Sequence, residues 1–137
     1  MSAPARTRSC TPAEAATRLQ QAEAFVLVAE LGLSDDSGTA TPGVAAALAV
    51  LAGIAASDCV CCAKLGRRSR AQAHAEAVGL LRSVAPDGPA MAKDLAELLA
   101  AKDESHYGTT LVSRAKAQAM VRRAARLVHQ ARAALKT

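Results

Sequence analysis

The stretch LGRRSRAQAHAEAVGLL, Leu65 to Leu81, places Arg67, Arg68, Arg70 and His74 within eight residues. A guanidinium is a planar fork of donors that fits two phosphate oxygens at once, and an imidazole, with an ordinary pKa of about 6.5, changes charge close to neutral pH. Together they suit phosphate chemistry, arginine holding an anion and histidine taking or giving a proton. Asp58 precedes them in the apolar run ASDCVCC, where a carboxylate costs free energy unless a cation or donors meet it. It needs a partner, and the spacing puts it within reach of the arginines or the imidazole, which it would orient. His106 and Tyr107, in KDESHYG, form the only other such cluster. Each residue also has an ordinary reading. Arginines after a helix favour its dipole by a few tenths of a kcal/mol each, a histidine on an amphipathic helix is often simply solvated, and a tyrosine can pack with its hydroxyl at the surface.

The elements that must position these groups are helices. At 137 residues, 51% hydrophobic, with one Phe, one Tyr and no Trp, the chain suits one domain whose apolar content is Ala, Leu and Val. Alanine favours helix and lets helices approach closely, so an all-α, up-and-down bundle of about five helices is expected over residues 12–137, behind a flexible tail at 1–11. Thr11, Pro12 and Glu14 read as N-cap, first helical residue and capping-box acid of a helix that Gly32 ends. Residues 34–43 read as a loop. A second helix, from about Val44 to Leu65, is apolar nearly all round and belongs in the middle, with Gly66 closing it. Ser69-Arg70-Ala71-Gln72 reads as a capping box for a third helix, on which Arg70 and His74 share a face. A fourth starts near Pro89. A fifth, capped by Ser113 or Thr110, carries the stripe Val112, Ala115, Ala119, Ala124, Leu127, Val128, Ala131 and Leu135 against a basic face of Arg114, Lys116, Arg122, Arg123, Arg126, Arg132 and Lys136.

Seventeen Lys and Arg against twelve Asp and Glu give a formal charge of +5, which favours phosphate-bearing partners without specifying one. The basic fifth helix lacks the interleaved aromatics of a single-strand binding platform and reads first as a solvated face that can steer RNA. Of four cysteines, Cys59, Cys61 and Cys62 fall on one helix, where near neighbours cannot pair, so reduced thiols and buried small hydrophobes are expected rather than disulfides or a metal site. No cofactor is expected. No uninterrupted apolar run reaches the roughly 20 residues a bilayer needs, and the first residues do not read as a secretory signal. A soluble cytoplasmic protein without membrane attachment is the expectation.

Three pieces, taken in helix order, resemble the HEPN domain, a small helical bundle named for nucleotide binding in higher eukaryotes and prokaryotes. They are ASD at 56–58, the Arg-to-His stretch ending HAEAVGLL, and LLAAKDESHYG before a long final helix. The family hallmark is Arg, four to six residues, then His; Arg68 with five between, or Arg67 with six, satisfies it. The resemblance implies a HEPN-like fold and a metal-independent endoribonuclease of a bacterial toxin or defence system, with an antitoxin or defence-system protein as possible partner. The alternative is a catalytically silent module that binds RNA or a nucleotide. It further implies a homodimer whose Arg and His pairs from two subunits line one cleft. His74 would be the acid or base, Arg68 or Arg67 the phosphate clamp, Asp58 the orienter, with Arg70, His106 and Tyr107 in RNA or phosphate binding. The products would carry 2′,3′-cyclic phosphate and 5′-hydroxyl ends. Two residues after His74 stands Glu76, not the tyrosine that receives a nucleotide in members paired with a nucleotidyltransferase antitoxin, so that regulation does not carry over.

Overall fold

The computed structural model describes residues 7–35, 38–70, 74–107 and 110–137, with the backbone alone over 103–107. It is a bundle of five helices with one small antiparallel ribbon. In chain order these are β1 (Thr7–Ser9), α1 (Pro12–Leu33), α2 (Thr41–Leu65), β2 (Arg67–Ser69), α3 (His74–Arg82), α4 (Gly88–Tyr107) and α5 (Arg114–Lys136).

Local chemistry sets several boundaries. Thr11 accepts from the Glu14 backbone N–H at 3.1 Å while the Glu14 carboxylate accepts from the Thr11 N–H, the reciprocal box that starts α1. Gly32 does not stop α1, which runs on to Leu33 and is closed by Ser34. Gly32 instead faces Thr41 and Ala45 at the close approach of α1 and α2. Gly66 takes the left-handed conformation, φ 68°, and ends α2 as its sequence position suggests. Ser113 caps α5 by accepting from the Lys116 N–H.

The central helix is α2, which packs against each of the other four. It is the one described helix long and apolar enough to cross a membrane by length and composition, and most of it is buried inside the bundle. Ala45, Ala46, Ala49, Ala52, Ala55, Ala56 and Cys59 are buried, against the α1 stripe Ala15, Leu19, Ala22, Val26 and Ala29. The largest fully buried side chains, Leu81, Leu95, Leu98, Met120 and Leu127, come from α3, α4 and α5. The α5 stripe differs from the expected one in its first turns: Ala117, Met120 and Val121 are buried, while Ala115 is exposed and Ala119 only half-buried. The larger Met and Val side chains bring more apolar area to the core than two alanines, and they set the register.

Several expectations are corrected. Residues 7–10 do not belong to a tail: Thr7, Arg8 and Ser9 pair with Ser69, Arg68 and Arg67, the Cys10 N–H donates to the Gly66 carbonyl at 3.0 Å, and Cys10 forms a disulfide with Cys62. The thiols are therefore not all reduced; Cys59 and Cys61 are free and buried. The helix-only reading also missed β2, so Ser69 is a strand residue whose hydroxyl donates to the Arg70 carbonyl rather than capping a helix. Ala71 and Gln72 lie outside the described residues, and Arg70 precedes α3 instead of sharing its face with His74. The basic face of α5 is largely committed within the protein. Arg126 grips Asp94 through two hydrogen bonds of 2.8 and 2.9 Å, Arg123 pairs with Glu97, Arg132 with Glu23, and Arg114 donates to the carbonyls of Leu33 and Asp35.

Ala52 is fully buried on α2, and protein interiors are close-packed. Ala52→Leu is expected to cost about 1–3 kcal/mol by overpacking, read as a lower urea midpoint with an unchanged slope; an unshifted midpoint would show that the helices part easily there.

Candidate functional site

Where α2, β2, α3 and α4 meet beside the first half of α1 lies a cavity of about 320 Å³, at the small end of the range for ligand sites. Its polar wall is Arg18 and Gln21 from α1, Ser57 and Asp58 from α2, Arg68 and Ser69 from β2, then Arg70 and His74. Its apolar floor is Ile54, Ala77, Leu95 and Leu99. The fold thus brings together Asp58, Arg68, Arg70 and His74, four of the residues singled out in the sequence. Arg67 is exposed and does not line the cavity. The side chains of His106 and Tyr107 lie outside the described residues.

Asp58 does not meet the arginine cluster after α2, as its spacing suggested. Its partner is Arg18: Nε donates to Oδ2 at 3.0 Å and Nη2 stands 2.9 Å from the same oxygen, while Nη1 donates to Gln21 Oε1 at 2.6 Å. Nothing in the local pattern around Arg18 marks it. The signal is topological, because Arg18 and Asp58 are equidistant from Gly38, so an antiparallel helix pair with a short connection must lay one beside the other. Asp58 is only 9% exposed. Burial pushes its carboxyl above the ordinary 3.8, against the Arg18 charge and hydrogen bond and the more distant Arg68 charge, all of which pull it down.

A second residue that sequence reading missed is Lys102, near the end of α4. Its Nζ is 3.1 Å from Nε2 of His74. An ammonium has only donors, so in this contact a charged Lys102 donates and Nε2 accepts. The site therefore gathers Arg18, Arg68, Arg70 and Lys102 around one imidazole and one carboxyl. This arrangement can bind an anion of phosphate size, neutralise charge that develops on it, and move a proton through His74.

Cys59 and Cys61 are buried free thiols that do not line the cavity. Burial, and secondarily the Asp58 charge, raise the Cys59 thiol to about 11 and the Cys61 thiol to about 12, so neither holds a thiolate near neutral pH. Among the described residues no group of three or more His, Cys, Asp or Glu side chains is placed to hold a metal ion. The chain matches no protein-family model and no curated protein.

The raised Asp58 carboxyl fixes the sign of a pH effect. The folded protein holds this proton to higher pH than the unfolded chain does. The group's contribution to stability is complete below 3.8 and is lost as pH rises through the raised folded value. In urea unfolding between about pH 3 and pH 6, wild type is expected to lose stability relative to Asp58→Asn as pH rises. A difference that stays constant or grows would show that Arg18 outweighs burial.

Proposed function

We propose that the protein is a HEPN-like, metal-independent endoribonuclease acting through this cavity. The observation that carries the reading is the meeting of Arg68, Arg70 and His74 on one cavity wall with Arg18 from the distant helix α1, and the approach of Lys102 to the His74 ring. Arg68 clamps the scissile phosphate, and His74 is the acid or base. The 2′-hydroxyl gives up its proton, its oxygen attacks phosphorus, the bond to the 5′-oxygen breaks, and that oxygen takes a proton, leaving 2′,3′-cyclic phosphate and 5′-hydroxyl ends. Asp58 contributes by holding Arg18 at the cavity wall, and Lys102 positions the imidazole. The sequence resemblance adds the setting of a bacterial toxin or defence system with a protein partner.

A homodimer is part of this reading. Val44, Leu48, Leu51 and Ile54 follow one another at helical spacing along α2 and lead to Asp58. Val44 and Leu51 are 59% and 44% exposed, large apolar groups on a helix whose other faces are packed. A second copy laid on this stripe would bring two cavities toward one cleft. Wild type is expected to have the mass of a dimer by light scattering, and Val44→Asp with Leu51→Asp that of a folded monomer. A wild-type monomer at tens of micromolar concentration would remove the dimer from the proposal.

The reaction is tested on a pool of labelled RNAs in EDTA. His74→Ala and Arg68→Ala are each expected to lower cleavage by about 10²-fold or more with circular dichroism unchanged, and Lys102→Ala by roughly tenfold or more through a misplaced ring. Arg67→Ala stays near wild type. RNA bound but not cut by wild type would favour the catalytically silent binding module, and equal cleavage by wild type and His74→Ala would overturn the assignment.

A further inference from the structure

The Cys10–Cys62 bond has a place in the fold that its contribution to stability does not account for. Strands of three residues in a two-stranded ribbon do not hold together unaided. Here β1 is anchored at its end by the disulfide, one residue beyond Ser9, and by the hydrogen bond from Cys10 to Gly66. Its partner strand carries Arg68, paired directly with Arg8, and Ser69, both of which line the cavity. Cys62 sits in the last turn of α2, four residues before Gly66, the left-handed residue from which β2 departs. The covalent link, the turn and the arginine strand therefore form one mechanical unit, and among the described residues β1 packs chiefly on β2.

We infer that Cys10–Cys62 is a redox latch on the anion site: with the bond closed β1 holds β2 and Arg68 at the cavity, and with the bond open β1 leaves and the cavity loses its clamp. This rests on the phosphate-binding reading above and adds its regulation. The co-reactant is a dithiol reductant. Cys10 is half-buried whereas Cys62 is 3% exposed, so the incoming thiolate attacks Cys10 Sγ. The S–S bond breaks, and its electron pair leaves on Cys62 Sγ, which takes a proton. The reductant's second thiolate then attacks its own sulfur in the mixed disulfide and releases the Cys10 thiolate, which is protonated. The reductant ends as a disulfide and the protein with two thiols. The neighbouring Cys61 and Cys59 are buried free thiols, so neither serves as the internal resolving thiol.

The test uses the full chain oxidised, the same chain reduced with dithiothreitol, and Cys10→Ser with and without the reductant. Hydrogen–deuterium exchange reads the latch, and calorimetric titration with inorganic pyrophosphate reads the site. Reduction is expected to speed exchange of the amides in 7–10 and 66–69 by about tenfold or more while those of the α2 core stay protected, and to weaken pyrophosphate binding by about tenfold. Cys10→Ser should behave as the reduced protein and ignore the reductant. Exchange unchanged by reduction, or α2 core amides accelerating equally, overturns the latch, the second result marking the bond as a general staple. Faster exchange with undiminished pyrophosphate binding overturns it as a control of the site. If the oxidised protein binds no pyrophosphate, the phosphate-site reading has failed, and the exchange result alone decides whether β1 is latched.

Discussion

A carboxylate on the innermost helix of a bundle is the constraint from which the rest of the site follows. Asp58 sits on α2 among small apolar neighbours and must be met by donors, because an unanswered buried charge is among the costliest features a fold can carry. Arg18 meets it from α1, and in doing so a long cation is drawn down against the bundle instead of extending into water. A wall with a carboxyl, a guanidinium and Gln21 already interlinked is what β2, α3 and α4 close upon. The cavity lies where these polar groups stay partnered with one another, while Leu98 and Leu127, which do not line it, are fully buried in the core.

How much of this was legible in the sequence depends on the range of each interaction. Features decided within four residues were readable: the Thr11 and Glu14 box, the Gly66 stop, the Ser113 cap, and the all-round apolarity that puts α2 at the centre. So was the proximity of the arginine cluster to His74, since they are close in the chain. What could not be read locally was decided between segments far apart. Cys10 looked isolated because a tail has no neighbours until the fold supplies one, and Arg67 and Arg68 were equivalent until the fold left Arg67 exposed and set Arg68 at the cavity wall. Arg18 and Lys102 are ordinary helix-surface cations in sequence, and each becomes part of the site only by facing a residue on another element. The antiparallel geometry of α1 and α2 held the one available clue, because residues equidistant from the turn must lie side by side.

Charge shows the same divide between composition and placement. A formal charge of +5 invites a reading of α5 as a basic surface for nucleic acid, but Arg123, Arg126 and Arg132 are spent on Glu97, Asp94 and Glu23, tying α5 to α4 and α1. The half-exposed pairs of Arg123 and Arg132 add little each, whereas Asp94 is buried beneath Arg126. The cations around the cavity are fewer, yet they surround one small volume, and it is that convergence that distinguishes a site from a basic face.

The alanine-lined contact between α1 and α2 has a consequence for motion. Alanine has no rotamers to lose, so this face orders at almost no cost in side-chain entropy, and close-packed methyl groups leave no alternative arrangement for the helices to slip into. Bulkier cores can absorb a displacement by flipping a leucine; Ala15, Ala22 and Ala29 have nothing to flip. The pair therefore moves as a single stiff body. Arg18 on one helix and Asp58 on the other keep their separation through thermal motion.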